Sequence, residues 1–401
     1  MQQNGLRIGS LFGIPFYVDS SWFLVFFFYT YLNAMNFLPR FGSISWVAGG
    51  VLALLLFASV LLHELGHSLV ALSQGIRVNS ITLFLFGGVA AIDRESKTPL
   101  GAFMVAIAGP LVSVVLFALF AVGAGYLPEG VLLQVIAIDL SRINLVLAIF
   151  NMIPGLPLDG GQVLKAFVWQ ITGSRNQGIR WAANSGKFLG SLGIALGLVL
   201  FLSSGRVGWI WLGLIGFFIY RNADSYDRIT TLQQTIRSIT AADAMTREFR
   251  VVDAQMSLRE FAETYILKDL QQQLIPYYAA SDGRYRGLVL VSDLQNIERS
   301  QWDHKTLMDI AHPLDTIATR PEKTDLADLI NFMEDQQLDF VTILSPAGAV
   351  AGVVDRGDII RVIASKMNIP IRDQDIHRIK SERAYPPDFQ LVAIVKSMQN
   401  Q

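Results

Sequence analysis

The feature that most constrains this chain is the length of its apolar runs. A helix needs about 20 apolar residues to cross a bilayer, and the N-terminal half contains six candidate runs. They cover residues 20–38, 45–73, 100–126, 131–152, 182–203 and 208–220. No small-residue cleavage site follows the first run, so we interpret it as a span rather than as a signal peptide. The pattern predicts a polytopic α-helical membrane domain with about six transmembrane helices.

Charged residues are distributed unevenly along the chain. Residues 1–235 contain 13 Lys and Arg and 9 Asp and Glu, whereas residues 236–401 contain 19 and 24. The first part therefore has the composition of a membrane protein, and the second that of a soluble, mildly acidic α/β domain. The net charge of −1 gives no indication of a nucleic-acid partner. Because the sequence has no cysteine, a metal site must use His and carboxylate ligands.

The positive charges of the short loops indicate how the spans are oriented. If the N-terminus is cytoplasmic, the outer loops contain only Arg40 and Arg206. The inner segments contain nine Lys and Arg residues: Arg7, Arg77, Arg94, Lys97, Lys165, Arg175, Arg180, Arg221 and Arg228. Six spans return the chain to the same side. The bias therefore predicts a multi-pass integral membrane protein whose N- and C-termini are both cytoplasmic.

The sequence HELGH, residues 63–67, brings three ionisable residues into the second predicted span. On a helix His63 and His67 lie on one face, so both imidazoles can bind one metal ion. Glu64 lies about 100° further round the helix, where it can contact a metal-bound water. A chance match on a buried helix is the alternative, but three ionisable groups are costly within a bilayer. The pattern is typical of zinc hydrolases.

A catalytic zinc ion usually has three protein ligands and one open position. The other histidines lie in the C-terminal half, so the third ligand is expected to be a carboxylate. Most acids of the membrane half lie at span ends, and Asp139 precedes Arg142 at the spacing of an ion pair. Asp159 differs, because prolines and glycines flank it in NMIPGLPLDGG and a broken helix at membrane depth can line a cavity. An ordinary turn at a helix end is its alternative interpretation.

Residues 78–92, VNSITLFLFGGVAAI, are rich in β-branched and aromatic residues and contain two adjacent glycines. We predict a β-hairpin or small sheet at the inner membrane face. The edge of such a sheet is suited to holding an unwound substrate by strand addition. A plain connector on the membrane surface is the alternative.

HELGH in one span, followed by NMIPGLPLDGG after a later span, resembles the site-2 protease family of intramembrane zinc metalloproteases. The resemblance covers roughly residues 5–225. It implies that His63, His67 and Asp159 bind one Zn²⁺ per chain, that Glu64 is the catalytic acid/base and that Asn151 has a supporting role near the substrate carbonyl.

The same resemblance implies a reaction and its partners. The enzyme would cleave a peptide bond in or near the transmembrane segment of a single-span protein, for example an anti-sigma factor, within the lipid bilayer of a bacterial plasma membrane or its equivalent. Asp19 replaces a histidine that is common in the family near this position.

The C-terminal half contains an internal repeat. RGLVLVSDLQ, residues 286–295, aligns with AGVVDRGDII, residues 351–360, at an offset of 65 residues. Each copy is predicted to have the order strand, helix, strand, strand, helix, which resembles a tandem pair of CBS domains. Such pairs often bind adenine nucleotides, which implies ribose contacts for Asp293 and Asp358, and they often mediate homodimers. Leu290 and Asp355 replace a hydroxyl residue that usually lies three positions earlier.

We therefore predict a transmembrane metalloprotease domain followed by a regulatory or dimerising soluble domain. The expected boundaries are 1–225 for the protease, 226–235 for a linker, 236–365 for the CBS pair (copies 236–301 and 302–365) and 366–401 for a tail. A transporter or channel with a cytoplasmic CBS domain is the alternative. It is less favoured because an ion path does not need Glu64 beside two histidines at helical spacing.

Overall fold

The computed structural model describes residues 5–85, 87–267, 275–386 and 391–399. Phe86 of the predicted hairpin, part of the first repeat copy and parts of the tail lie outside this range. The described chain divides into two units, one up to Thr230 and one from Thr231 onward. The boundary falls inside a continuous helix, Gly208–Arg237, so the segment 226–235 is helical.

The first unit consists mainly of long helices. In chain order its elements are β1 (Leu6–Leu11), β2 (Ile14–Val18), α1 (Ser20–Phe41), α2 (Ser45–Ser73), β3 (Val78–Phe84), β4 (Gly87–Ile92), α3 (Pro99–Gly125), α4 (Leu132–Asn151), α5 (Asp159–Thr172), α6 (Arg175–Ser204) and α7 (Gly208–Arg237). Helices thus cover all six predicted spans. The amphipathic helix α5 is an addition that the apolar runs did not predict.

Four helical segments among the described residues are long and apolar enough to cross a membrane: Ser20–Ser73, which contains α1 and α2, and the helices α3, α4 and α6. The helices α1 and α2 are antiparallel neighbours, because Tyr31 packs on Trp46 and the earlier Trp22 packs on the later Phe57. Helix α7 is not among the four, since Arg221 and Asp224 soon follow its apolar run. The number of spans stays a prediction.

A four-stranded sheet in the order β1-β2-β3-β4 accompanies these helices. The antiparallel pairing of β3 with β4 confirms the hairpin predicted for residues 78–92. Strand β2 pairs in parallel with β3, and its alternate side chains Ile14, Phe16 and Val18 are buried. Strand β4 has a neighbour on one side only, so it forms an edge of the sheet within the described residues.

The second unit contains the predicted repeat. Its elements are α8 (Ala241–Ala244), β5 (Arg250–Asp253), α9 (Leu258–Phe261), β6 (Tyr277–Ser281), β7 (Arg284–Val289), α10 (Val291–Gln295), β8 (Thr319–Pro321), α11 (Leu326–Asp335), β9 (Phe340–Leu344), β10 (Val350–Asp355), α12 (Arg356–Lys366), α13 (Asp373–Glu382) and α14 (Leu391–Gln399). The strands form two three-stranded sheets, β5-β6-β7 and β8-β9-β10. Each copy has the predicted order of strand, helix, strand, strand, helix.

The tail belongs to the core of this second unit. Ile376 and Ile379 of α13 and Leu391 and Val395 of α14 are almost fully buried in the cluster that includes α11 and α12. Burying each of these side chains contributes roughly 1.5–3 kcal/mol. The described part of the tail is therefore part of the core of the second unit.

Candidate active site

The HELGH residues of α2 lie in a closely packed part of the first unit. His63 is 3% exposed and His67 is 8% exposed. The neighbouring Gly66 lets α3 approach, because a β-carbon there would lie 3.0 Å from the Ala108 carbonyl oxygen. The close approach of two helix backbones brings both imidazoles against α3.

The sequence after α4 explains how Asp159 reaches the same place. Helix α4 ends at Asn151, and α5 begins at Asp159 after a turn. A β-carbon on Gly160 would lie 2.3 Å from the Met152 carbonyl oxygen, and one on Gly161 would lie 2.3 Å from the Leu156 nitrogen. The first turn of α5 can pack against this segment only because both residues are glycine.

His63, His67 and Asp159 form one compact group. The distance from Asp159 Oδ2 is 3.0 Å to His63 Nε2 and 3.3 Å to His67 Nε2. The two Nε2 atoms are 3.3 Å apart. Two imidazole nitrogens and one carboxylate oxygen are a donor set that zinc prefers, with room for a fourth ligand. The structure thus brings together the three residues predicted from spacing, and their role as ligands stays a prediction.

Gly109 of α3 faces this group, and sequence reasoning did not find it. A β-carbon at Gly109 would lie 2.2 Å from His67 Nε2 and 2.7 Å from His63 Nε2. The space beside both nitrogens is therefore open only because this residue has no side chain. An open space bordered by metal-binding atoms fits a metal ion. The available signal was a Gly-Pro pair inside an apolar span.

Helix α3 also orients both imidazole rings. His67 Nδ1 donates a hydrogen bond to the Val105 carbonyl oxygen at 2.7 Å. His63 Nδ1 is 2.9 Å from Oγ of Ser113, a fully buried residue. A proton on Nδ1 leaves Nε2 free to bind a metal, and such outer partners fix the ring orientation of metal-binding histidines. Sequence spacing gave no indication of Ser113.

Glu64 lies directly beneath the edge strand β4. A β-carbon on Gly88 would come within 2.5 Å of Glu64 Cγ. Asn151 Nδ2 is 3.4 Å from His63 Nε2, so the end of α4 borders the same group.

Asp19, which replaces a histidine common in the family, is not part of this group. It caps α1 by accepting a hydrogen bond from the Ser21 nitrogen at 2.9 Å.

Comparison with known proteins identifies the family. The model of peptidase family M50 matches residues 51–142 and 131–193. A Synechocystis sp. protein named "Putative zinc metalloprotease sll0528" is 42% identical over 364 residues, which cover 90% of this chain and 96% of that protein. The chain belongs to peptidase family M50.

A second relative is consistent with this membership, and two solved structures resemble parts of the chain. "Putative zinc metalloprotease Rip3" of Mycobacterium tuberculosis is 35% identical to the M50 chain, over 79% of this chain and 81% of that protein. The solved structure "Site-2 Protease from Methanocaldococcus jannaschii" is 31% identical with a TM-score of 0.39, and the match covers 56% of this chain and 95% of that one. A CBS domain of a bacterial CNNM/CorC family Mg²⁺ transporter is 19% identical with a TM-score of 0.29, over 37% of this chain and 86% of that one.

As an M50 protein, the chain is a membrane-integral zinc metalloprotease, which confirms the predicted enzyme class and the resemblance to site-2 proteases. This membership favours the protease over the transporter alternative. The predicted ion pair of Asp139 with Arg142 is also present, at 3.6 Å, so Asp139 is not part of the histidine group.

The second predicted site of this M50 protein lies in the C-terminal unit, where the two repeat aspartates have different surroundings. Asp293 Oδ2 accepts a hydrogen bond from His312 Nε2 at 2.6 Å, and the Asp293 side chain is 28% exposed. The Asp358 side chain is 1% exposed and lies 2.9 Å from Lys380 Nζ of α13. The same ammonium group also contacts Glu248 and Asp355, at 2.7 and 3.1 Å.

These contacts keep Lys380 charged. Burial by itself would lower the pKa of Lys380, but the hydrogen bond with Glu248 and the charges of Asp358 and Asp355 raise it above its ordinary value. The ammonium group of Lys380 therefore lies beside Asp358, where a bound ligand would otherwise contact this carboxylate. Among the described residues no Lys or Arg contacts Asp293, whose partner is the partly exposed His312.

Proposed function

We propose that this M50 protein cleaves a peptide bond in or near the transmembrane segment of a single-span membrane protein. The observation that carries the proposal is the convergence of His63, His67 and Asp159 beside Glu64 and the edge of β4. A buried donor set for zinc, a neighbouring carboxylate and a strand at the edge of the described sheet are the parts that the proposed peptide hydrolysis requires.

The residues have distinct roles in the proposed reaction. His63, His67 and Asp159 hold the zinc ion, which when bound polarises the scissile carbonyl group and acidifies a water molecule. Glu64 takes the proton of the attacking water and delivers it to the departing amine. Asn151, at the border of the group, orients the scissile carbonyl group.

The outer edge of β4, with which no described strand pairs, supplies a means of holding the substrate. Peptide bonds in a transmembrane helix are hydrogen-bonded within the helix, so a substrate has to unwind before it is cleaved. An unwound segment can pair with β4 by strand addition. Because Gly88 lies against Glu64 without a side chain between them, a segment paired there would lie next to the proposed base.

The proposal is tested by comparing two single-span substrates that differ at one point. In one, a Gly-Pro pair lies in the inner half of the segment; in the other, the pair is Leu-Leu. Proline costs about 3 kcal/mol in a helix interior, and 1.4 kcal/mol corresponds to a factor of ten in rate. We expect the Gly-Pro substrate to be cleaved at least about tenfold faster by the purified enzyme in detergent or nanodiscs.

The control substrate carries the same Gly-Pro pair in the opposite half of the segment, where unwinding does not expose the scissile bond. Its cleavage rate should match that of the Leu-Leu substrate. The contrary result is that all three substrates are cleaved at equal rates and at a site outside the apolar segment. It would rule out an unwound transmembrane segment as the substrate.

Orientation and boundaries belong to the same proposal. We place the protein in a bacterial plasma membrane or its equivalent, and the charges of the loops support cytoplasmic N- and C-termini and proteolysis near the inner face. A single-span regulator such as an anti-sigma factor fits that location as a substrate. We assign the protease to residues 1–225, a helical linker to 226–235, the repeat pair to 236–365 and the tail to 366–401.

We further propose that the repeat pair is a CBS module that dimerises the enzyme and regulates it through an adenine nucleotide. The different surroundings of the two aspartates support one nucleotide site per chain, at Asp293. Lys380 already neutralises Asp358, and the carboxylate of Asp355 would repel a phosphate group. A nucleotide can change the activity only if it binds two arrangements of the enzyme with different affinity.

Titration of the full-length protein with AMP tests this arrangement. We expect binding of one AMP per chain, and Asp293→Asn should weaken it at least about tenfold, since a buried hydrogen bond to a charged group contributes about 1.5–3 kcal/mol. The matched control is Asp315→Asn, an exposed acid of the same unit. Binding of two AMP molecules per chain would contradict the claim that Lys380 blocks a nucleotide site at Asp358. Absence of binding would contradict the nucleotide proposal itself.

A further inference from the structure

A buried ammonium group outside the histidine group has no role in the chemistry described so far. Lys165 lies in α5 and is 4% exposed. Its Nζ donates a hydrogen bond to Glu95 Oε2 at 2.9 Å. Arg175, at the start of α6, donates to the same oxygen through Nη2 at 2.9 Å and Nε at 3.2 Å. One carboxylate therefore joins two helices through two cations.

Glu95 remains ionised over the whole range in which an enzyme of this kind works. Burial raises the pKa of Glu95, but the charges and hydrogen bonds of Lys165 and Arg175 outweigh this effect and lower the pKa to about 2. The cluster is a permanent link rather than a switch, because protonation of Glu95 would require strongly acidic conditions.

The position of the cluster in the chain connects it with the active site. Glu95 follows Ile92, the last residue of β4, and precedes α3, which begins at Pro99. Strand β4 lies over Glu64, and α3 contributes Gly109 and the partners of both histidine rings. On the other side, Lys165 is part of α5, the helix that begins with Asp159.

The two ends of α5 are held in different ways. Its first turn is fixed by the close packing of Gly160 and Gly161 on the preceding turn. The following turns are held against α6, because a β-carbon on Gly178 would lie 2.4 Å from the Lys165 carbonyl oxygen. The ion pair with Glu95 adds a contact between α5 and the segment that joins β4 to α3.

We propose that Glu95 is a positioning residue of the metal site: through Lys165 it sets where α5 holds the Asp159 carboxylate relative to His63, His67 and strand β4. The inference rests on the proposed role of Asp159 as a ligand. In this proposal, residues 93–98 between the hairpin and α3 keep Asp159 at the correct distance from His63 and His67.

The test measures zinc affinity of the full-length protein in detergent by competition with a chromophoric chelator. Partners outside the ligand set change metal affinity about 10- to 100-fold, so we expect Glu95→Gln and Lys165→Met each to weaken zinc binding about tenfold or more. The double variant should bind zinc no more weakly than the weaker-binding single variant, since both changes break the same ion pair between Glu95 and Lys165. Glu95→Asp should recover part of the affinity.

Lys165→Met separates positioning from folding. It replaces the buried ammonium group by an apolar side chain of similar length, so no unpaired charge remains within the protein. We expect its thermal midpoint to stay near that of the wild type while its zinc affinity falls. Asp93→Asn is the matched control, because Asp93 is an exposed acid two residues before Glu95, and its zinc affinity should equal that of the wild type.

Two results would contradict the inference in distinguishable ways. If Asp159→Ala loses zinc while Glu95→Gln and Lys165→Met bind it as tightly as the wild type, the pair is structural only and the positioning role is wrong. If Asp159→Ala itself keeps one tightly bound zinc per chain, the proposed ligand set is wrong, and the role of Glu95 is wrong with it.

Discussion

Gly109→Ala is expected to give a folded protein that contains no zinc and has no measurable protease activity. Zinc binds imidazole nitrogen at about 2.0–2.1 Å, and a methyl group at residue 109 would lie 2.2 Å from His67 Nε2 and 2.7 Å from His63 Nε2. The methyl group therefore takes the space of the ion or displaces both rings. Metal analysis of the purified protein, together with its circular dichroism spectrum, measures the two parts of this expectation.

Helix α3 offers a matched control for this change. Gly123 lies in the same helix, and a β-carbon there meets no atom within 4 Å. Alanine is favoured over glycine in a helix by about 1 kcal/mol, so both substitutions should preserve α3. Gly123→Ala should keep one zinc per chain and the wild-type rate. A Gly109→Ala protein with one zinc and normal turnover would mean that the ion lies elsewhere.

Glu64→Gln should separate metal binding from catalysis. Glutamine has nearly the shape of glutamate but cannot accept the proton of the attacking water at neutral pH. General acid–base catalysis contributes about 10²- to 10⁴-fold, so we expect cleavage of a single-span substrate to fall by at least about 100-fold. Zinc content should stay at one per chain, since Glu64 lies outside the group of three ligand atoms.

The same variant gives access to natural substrates. Bound but uncleaved proteins should co-purify with Glu64→Gln after mild cross-linking and be absent from the wild type. The control is Glu129→Gln, which changes an exposed acid in the loop before α4 and should leave the rate unchanged. A Glu64→Gln enzyme that retains wild-type turnover would exclude this carboxylate as the base.

The sequence was most informative where chemistry and geometry are local. HELGH brings both imidazoles to one side of α2 through helical spacing alone, and the prolines and glycines around Asp159 indicated a break in the helix at that point. The hairpin of β3 and β4 followed from the β-branched composition. In each case a few neighbouring residues contained the signal.

The remaining parts of the site depend on contacts between distant residues. Helix α3 is apolar on every side, so no periodic pattern distinguishes Gly109 or Ser113 from residues that face lipid. Lys165 and Glu95 are 70 residues apart, and nothing in their flanking sequence links them. Lys380 likewise reaches Asp358 through the packing of α13 and not through spacing. Such pairings appear only when the chain is folded.

The close contact between Gly88 and Glu64 has a consequence for what the enzyme can distinguish. A strand edge offers only backbone donors and acceptors, which are the same in every residue except proline, and at Gly88 no side chain is present to form a pocket. At this position the enzyme would therefore select substrates by the conformation of the paired segment and not by its side chains. The protease would respond to the free energy of local helix opening in each candidate, so that every 1.4 kcal/mol of added helix stability lengthens the lifetime of that protein about tenfold. Membrane proteins with firmly packed helices would be spared without carrying any specific protective sequence.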